Sequence, residues 1–376
     1  MTAAELTAAL VRIPTAEPAP TGAAIALCGE MLEQAGFRLR RRVETAPGIE
    51  HALFERAGED PPLLFDGHLD TVPAGEGWQL DPLGGEIADG AVWGRGAADD
   101  KGPIAALLVA LRGYAGARRL LVTLCGDEEV HMRGIQALRE DPAVGAATQA
   151  IALEPTGLIP VHAHKGNARI RVDVSGRPAH SSRPWAGCNA IEEKMRLIAA
   201  LAEWFAGDEG ARRMADFGEE PSTLVVTREL TPNTAFNVIP DRASFWYNFR
   251  PLPCGGTPPH TGSDRPLDAL LARIAAEAER LGIQAQAEVE YASPPTFTPT
   301  DAPLIRALAD IGGKAPAWEA YGTDGGHLSD GVREVAVFGP GDVTRAHREN
   351  EYITIQALED GVAALRALPA RLGGFK

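Results

Sequence analysis

The chain has 376 residues, 45% of them hydrophobic, enough for a proper core and too many for a disordered chain. Its formal net charge of −15 and isoelectric point near 5.1 disfavour a phosphate-backbone partner, which needs a basic face. The four cysteines, Cys28, Cys125, Cys188 and Cys254, form no CxxC pair, so they read as reduced, partly buried thiols rather than a zinc finger or disulfide scaffold. No apolar run approaches the roughly 18 residues of a membrane span, and no signal peptide is visible. A cytoplasmic protein is expected, with neither nucleic acid nor membrane as partner.

Residues 2–12 and 21–35 carry apolar side chains at helical spacing. Thr2 to Glu5 reads as a capping box opening the first helix, and Gly36 as the stop of the second. Strand-like runs follow at 37–43, 50–56 and 62–66. The stretch EIADGAVWG, 86–94, predicts a hairpin with Asp89 and Gly90 in its turn. Residues 102–113 predict a buried helix, 119–125 a buried strand, 131–140 a helix and 148–153 another buried strand. Helices alternating with wholly apolar strands predict an α/β fold whose mostly parallel sheet is covered on both faces.

After Gly166 the pattern changes. NARIRVDVSG alternates, with Ala168, Ile170, Val172 and Val174 on one side and Arg169, Arg171 and Asp173 on the other. That describes a sheet with one wet face. A helix (189–205), two strands (222–229 and 242–250), a Pro/Gly-rich loop (251–266), a helix (266–281) and a strand (284–290) follow. The order β-α-β-β-α-β is the split, ferredoxin-like α+β arrangement. The α/β pattern then resumes with a helix at 302–311, a buried strand at 334–338 and a closing helix at 354–372. The expectation is one α/β domain built from residues 1–165 and 291–376, carrying an inserted lid of residues 166–290.

The acids and histidines fall in a pattern. His68 and Asp70 stand at the end of the strand before GHLDTVP, two apart, so Asp70 can orient His68 toward a metal; a polar loop with an incidental histidine reads the same way. GRGAADDKG places Asp99 and Asp100 before a helix, where either can also be a cap, and it lacks the third glycine of a dinucleotide fingerprint. GDEEV puts Asp127, Glu128 and Glu129 at the end of the strand 119–125, Glu154 ends the strand 148–153, and His347 follows the strand 334–338. Each acid alone is compatible with a solvated face. Together they gather at the carboxyl edge of the sheet, where open α/β folds bind ligands. Several carboxylates collected there repel unless cations sit among them. Two imidazoles with carboxylates and no thiolate suit zinc, cobalt or manganese.

In that order, GHLDTVP, GRGAADDKG, GDEEV, LEPT and RAHRENEYI resemble the co-catalytic dizinc deacylases and peptidases, a family that includes acetylornithine deacetylase, succinyl-diaminopimelate desuccinylase, aminoacylase and carboxypeptidase G. The likeness spans essentially the whole chain. It implies that His68, Asp99 and Glu154 hold one zinc ion and that Asp99, Glu129 and His347 hold a second, with Asp99 bridging. It implies Glu128 as general base and Asp70 as the partner of His68. In the lid, His180 matches a histidine that reaches a partner's active site across a homodimer; without the resemblance it reads as a hydrogen-bonded loop histidine. Asn237 and Arg250 resemble residues that hold a substrate carboxylate, although Arg250 also reads as a surface charge on a strand. YGTDGGHLS, with Gly322 and Thr323, resembles a glycine-rich substrate loop.

The resemblance is strongest to acetylornithine deacetylase, through LEPTGLIPVHAHKG, AHSSRPWAGCNAIE and FGPGDVTRAHRENEYI. GTDGGHLS leans instead toward the desuccinylase and peptidase members. The implied activity is hydrolysis of an N-acyl amino acid, N-acetylornithine first. Succinyl-diaminopimelate desuccinylase, acetylcitrulline deacetylase, hydrolysis from a carrier protein's carboxylate, and a dipeptidase or carboxypeptidase are the alternatives. A non-catalytic binding homologue is the alternative of another class, and such chains lose a ligand or the base; none is missing here. A serine hydrolase lacks support, since there is no G-x-S-x-G.

Overall fold

The computed structural model describes residues 1–233, 235–253 and 266–372. The chain opens with helices α1 (Ala3–Val11) and α2 (Gly22–Gln34), then an antiparallel pair β1 (Arg38–Ala46) and β2 (Ile49–Arg56), and enters β3 (Glu59–His68). A short hairpin, β4 (Glu86–Ala88) and β5 (Ala91–Trp93), precedes α3 (Lys101–Leu111), β6 (Arg118–Cys125), α4 (Arg133–Leu138), α5 (Pro142–Gly145), β7 (Gln149–Ala152) and β8 (Val161–His164). Next come β9 (Asn167–Ser175), α6 (Ala190–Gly207), β10 (Thr223–Leu230), β11 (Arg242–Arg250), α7 (Pro266–Leu281) and β12 (Gln284–Ser293). The chain returns through β13 (Thr296–Phe297), α8 (Pro303–Gly312), β14 (Ala317–Glu319), α9 (Gly325–Leu328), β15 (Glu334–Val337), β16 (Tyr352–Thr354) and α10 (Ile355–Leu372).

Local chemistry explains the element ends. Thr2 and Glu5 form the expected capping box: the Glu5 amide donates to the Thr2 hydroxyl at 3.2 Å, and the Thr2 amide to the Glu5 carboxylate at 2.7 Å. Asp89 and Gly90 both take the left-handed conformation that a two-residue hairpin turn demands. The helix expected at 131–140 starts later, at Arg133. Asp127 accepts from the amides of Arg133 (3.1 Å) and Gly134 (2.9 Å), and Met132 is left-handed, with φ of 50°. The first acid of GDEEV is therefore a cap and not a solvated charge.

The main sheet runs β1-β2-β6-β3-β7-β15-β8-β13, with β14 also on β8. Its centre, β6-β3-β7-β15, is parallel, and the outer pairs are mostly antiparallel. One face is packed by α1, α2, α3, α8 and α10 around Phe65, Val122, Ile151 and Phe338. The other is packed by α4, α5 and α9 around Leu64, Leu121, Ala150 and Val335. Burial on both faces is why the central strands read as unbroken apolar runs. β13, β14 and β16 are too short to show a period, and β8 has histidines where an apolar run would continue; the sequence reading placed no strands at any of the four. In VHAH the two histidines are buried and bonded to carbonyls, Nδ1 of His162 to Thr298 O and Nδ1 of His164 to Lys165 O, both at 2.9 Å.

A second sheet, β10-β11-β9-β12, is antiparallel throughout. Helices α6 and α7 bury one face, with Ile170, Val172 and Phe245 against Leu197 and Ile274. Arg169, Arg171 and Asp173 lie on the other, as the alternation predicts. Of the expected loop at 251–266, residues 254–265, including Cys254, lie outside the described residues. Among the described residues Cys28, Cys125 and Cys188 are free thiols. No helix among them is long and apolar enough to cross a membrane.

Candidate metal centre

β3 sits between β6 and β7 and ends at His68, which pairs with Cys125 at the end of β6. The segments leaving these three parallel strands therefore bring His68, Asp127–Glu129 and Glu154 to one edge. Asp99 arrives from the turn between β5 and α3, and His347 from the segment between β15 and β16. His68 Nε2 lies 3.0 Å from Asp99 Oδ1 and 4.0 Å from Glu154 Oε1. His347 Nε2 lies 3.2 Å from Asp99 Oδ2 and 2.9 Å from Glu129 Oε1. Asp99 thus stands between the two imidazoles, one oxygen toward each. One ligand atom each from His68, Asp99 and Glu129 falls within 4.8 Å of the others. His68, Asp99, Glu128 and Glu154 are buried, whereas the His347 side chain is 52% exposed and forms the open side of the cluster.

Tight packing of side chains against the backbone sets these positions. Gly96, with φ of +84°, begins the turn that carries Asp99; a Cβ there would stand 2.7 Å from Thr71 Cγ2 and 3.0 Å from Lys101 Cδ. Lys101 is itself buried and donates to the Ile13 carbonyl at 2.8 Å, and burial holds its ammonium down at about 8. Asp70 divides its contacts differently from the expectation. Its carboxylate accepts the amides of Glu128 (3.1 Å) and Glu129 (3.0 Å), while His68 Nδ1 is closer to the Asp70 carbonyl (3.2 Å) than to its carboxylate (3.5 Å). Asp70 therefore ties the GDEEV segment to the His68 segment. Asp100 accepts from the His68 amide at 3.4 Å, whereas Asp99 meets both imidazoles, so Asp99 is the acid aimed at the cluster.

The electrostatics are those of crowded acids in a dry site. Burial drives the carboxyls of Glu128 and Glu154 well above the usual range, and neighbouring carboxylates push the same way. Glu129 is raised for the same first reason, against the pull of His347. Asp99 is the exception: burial pushes it up, but hydrogen bonds from His347 and His68 outweigh that and hold it low. His347 is raised to about 10 by Asp99 and Glu129. The arrangement gathers more carboxyl groups than its two imidazoles can pair, and burial resists their ionisation.

The remaining predicted residues are spread. Thr323 is buried, its hydroxyl 3.2 Å from His164 Nε2, and Gly322 lies beside it, 3.5 Å for an added Cβ from the Lys165 carbonyl. Arg250 ends β11 and donates to Asn248 at 3.1 Å. Tyr291 on β12 sits in the fields of both Glu128 and Arg250, and its hydroxyl meets Met132 Sδ at 3.1 Å. His180 and Asn237 are not brought to the cluster. They lie together on the exposed end of the second sheet, where the Ser181 amide donates to the Asn237 carbonyl at 2.9 Å and His180 bonds Ser182 Oγ at 2.7 Å.

Residues the sequence reading passed over also border the site. Tyr321 sits in the field of Glu154 and Asp99. Asp324 is packed beneath the cluster with Asp66 and Cys125, and Thr123 donates to Asp66 at 2.6 Å there. Glu351 and Arg95 form a buried pair at 2.6 Å behind Asp99. Both acids stand inside motifs that were noticed, GTDGGHLS and RENEYI, but nothing in the residue type marks a carboxylate as buried.

A model of the family described as peptidase family M20/M25/M40 matches residues 64–371. The chain is 34% identical over 375 residues to acetylornithine deacetylase of Myxococcus xanthus, covering 97% of this chain and 96% of that protein. It is 31% identical over 388 residues to succinyl-diaminopimelate desuccinylase of Caulobacter sp. (strain K31), covering 97% and 95%. Among solved structures it resembles the YXEP protein of Bacillus subtilis, described as a dinuclear metal binding peptidase from the M20 family. That match has a TM-score of 0.67 and 14% identity, covers 98% of this chain and 96% of that one, and carries the fold. By the family match and by sequence identity along nearly its whole length, the chain belongs to the peptidase family M20/M25/M40 and is an amidohydrolase.

Proposed function

We propose that the chain is a dinuclear metal-dependent amidohydrolase that removes a small acyl group from the amine of an amino acid, with N-acetylornithine as the leading substrate. The observation that carries this reading is the convergence of His68, Asp99, Glu129, Glu154 and His347 at one edge, Asp99 offering one oxygen to each imidazole. The donor set fits a pair of divalent cations: nitrogen and carboxylate donors, no thiolate, and more crowded carboxyl groups than the two imidazoles can pair. His68, Asp99 and Glu154 would hold one ion and Asp99, Glu129 and His347 the other. Zinc is the leading ion and cobalt a substitute. When bound, such a pair polarises the scissile carbonyl and acidifies an attacking water.

The rest is done by the chain's own side chains. Glu128 takes the proton from the attacking water and delivers it to the departing amine. Its burial strengthens its hold on a proton, as a shuttle requires. Asp70 aims Glu128 and Glu129 through their amides. Arg250, with the backbone of Gly322 and Thr323, takes the substrate's carboxylate, which a guanidinium matches with two parallel bonds, and Asn237, which lies beside His180, adds to that hold from a second copy. His180 reaches the oxyanion from a second copy, in a homodimer formed through a lid of residues 166–290. Its exposure, away from the cluster of its own chain, is what that role needs.

The identity to the Myxococcus xanthus deacetylase supports N-acetylornithine, and the comparable identity to the desuccinylase keeps N-succinyl-diaminopimelate as the second reading. A panel of N-acetylornithine, N-acetylcitrulline, N-succinyl-diaminopimelate and dipeptides tests the assignment. N-acetylornithine is expected to give the highest kcat/KM. Glu128→Ala is expected to keep its metal and lose about 10²–10⁴-fold in turnover. Best turnover on a dipeptide would replace the deacylase reading, and near-normal turnover by Glu128→Ala would remove Glu128 from its role.

A further inference from the structure

Behind the cluster lies a buried ion pair that touches none of the imidazoles. Glu351 is 1% exposed and Arg95 3%. Glu351 Oε1 accepts the amides of Ala98 at 2.8 Å and of Asp99 itself at 3.1 Å. Glu351 Oε2 accepts from Arg95 Nη1 at 2.6 Å. Arg95 Nη2 in turn donates to the carbonyls of Pro73 (3.4 Å) and Ala74 (3.3 Å), and the guanidinium lies 5.2 Å over the Trp78 ring. The Gly94 amide donates to the Glu351 carbonyl at 2.9 Å, and the next residue, Tyr352, pairs with Trp93 across β16 and β5. One carboxylate and one guanidinium therefore join three segments: the one that follows His68 and Asp70, the one that carries Asp99, and the one that carries His347.

We propose that Glu351, backed by Arg95, is a positioning residue for the second metal ion, holding Asp99 and the His347 segment in the register that lets both face the same cation. The inference rests on the dinuclear reading above. The geometry weighs on the second ion more than the first, because Glu351 secures only Asp99 among the residues that would hold the first but both Asp99 and the His347 segment among those that would hold the second. His68 and Glu154 are fixed by strands β3 and β7, whereas His347 is half-exposed and hangs from a segment secured to the Asp99 turn by Glu351. A carboxylate serving two amides and a guanidinium in a dry interior uses charge-assisted bonds on both sides. A glutamine there keeps the shape, but its NH₂ group must face either the amides or Arg95, and both are donors.

The test uses the full chain stripped of metal and titrated with Zn²⁺ against a chromogenic chelator. Wild type is expected to bind two equivalents. In Glu351→Gln the first is expected to stay within a few-fold of wild type and the second to weaken by about 10–100-fold, the range typical for partners of metal ligands. Turnover at low free Zn²⁺ falls with it and returns when free Zn²⁺ exceeds the new Kd, a rescue that a purely structural lesion does not show. Arg95→Lys keeps the charge but loses the fork, and is expected to weaken the second equivalent by a smaller factor. Either folded variant binding both ions as tightly as wild type overturns the proposal alone. Wild type binding no Zn²⁺ overturns the dinuclear reading and this proposal with it.

Discussion

Burial acts on single residues in opposite directions here, and the sign depends on the charge the residue would carry. Buried carboxyls resist losing a proton, and buried His164 resists gaining one. His164 is fully buried, bonded through Nδ1 to the Lys165 carbonyl and through Nε2 to Thr323, and burial holds it down at about 4 against an ordinary 6.5. The unfolded chain therefore takes up a proton near pH 6.5 that the folded chain refuses until about pH 4. Stability present above pH 6.5 is lost as pH falls through that window, by on the order of 3 kcal/mol for this group. Urea unfolding of wild type and His164→Gln at pH 7 and pH 4 checks this: the wild-type advantage is expected to shrink by about that amount. Parallel losses in both proteins would show that His164 does not titrate in that interval. At this scale the residues of the cluster were legible because His68, Glu129, Glu154 and His347 each stand at or after the end of a strand that announces itself. Glu351 was not, because a carboxylate that holds backbone amides has the same letter as one that faces water.

Elements were legible where burial imposes a period. β3, β6, β7 and β15 stood out as apolar runs, and β9 by its alternation. β8 was hidden because its VHAH alternates apolar residues with histidines instead of forming an apolar run, and β13 because two residues are too few for any pattern; their partners lie more than a hundred residues away. One visible element points outward. β10 is an edge strand of the second sheet, and Val225 and Leu230 on it are 52% and 46% exposed. An apolar, unpaired edge is a surface that proteins usually cover. Under the proposed homodimer, Val225→Lys is expected to shift the protein from dimer to monomer in sedimentation velocity. Turnover should fall in step, because His180 would no longer reach its partner. A monomeric variant with full activity would remove His180 from the proposed chemistry.

For the molecule as a whole, the site draws on residues from 68 to 351 and so reports on the integrity of the entire fold. Ions that bind only the assembled cluster stabilise it by mass action, by about 4 kcal/mol per site at a thousandfold excess over Kd. Stripping with a chelator is expected to lower the melting temperature and abolish turnover together, and added Zn²⁺ or Co²⁺ to restore both. An unchanged melting curve with and without metal would separate the fold from the proposed centre. The order in which the chain contributes these residues has its own consequence. A nascent polypeptide that has emerged as far as β12 already owns His68, Asp99, Glu129 and Glu154, but neither His347 nor Glu351. The proposed centre therefore stays incomplete until the ribosome has passed β15 and the segment that carries His347 and Glu351, and a polypeptide released before that point lacks one side of the cluster.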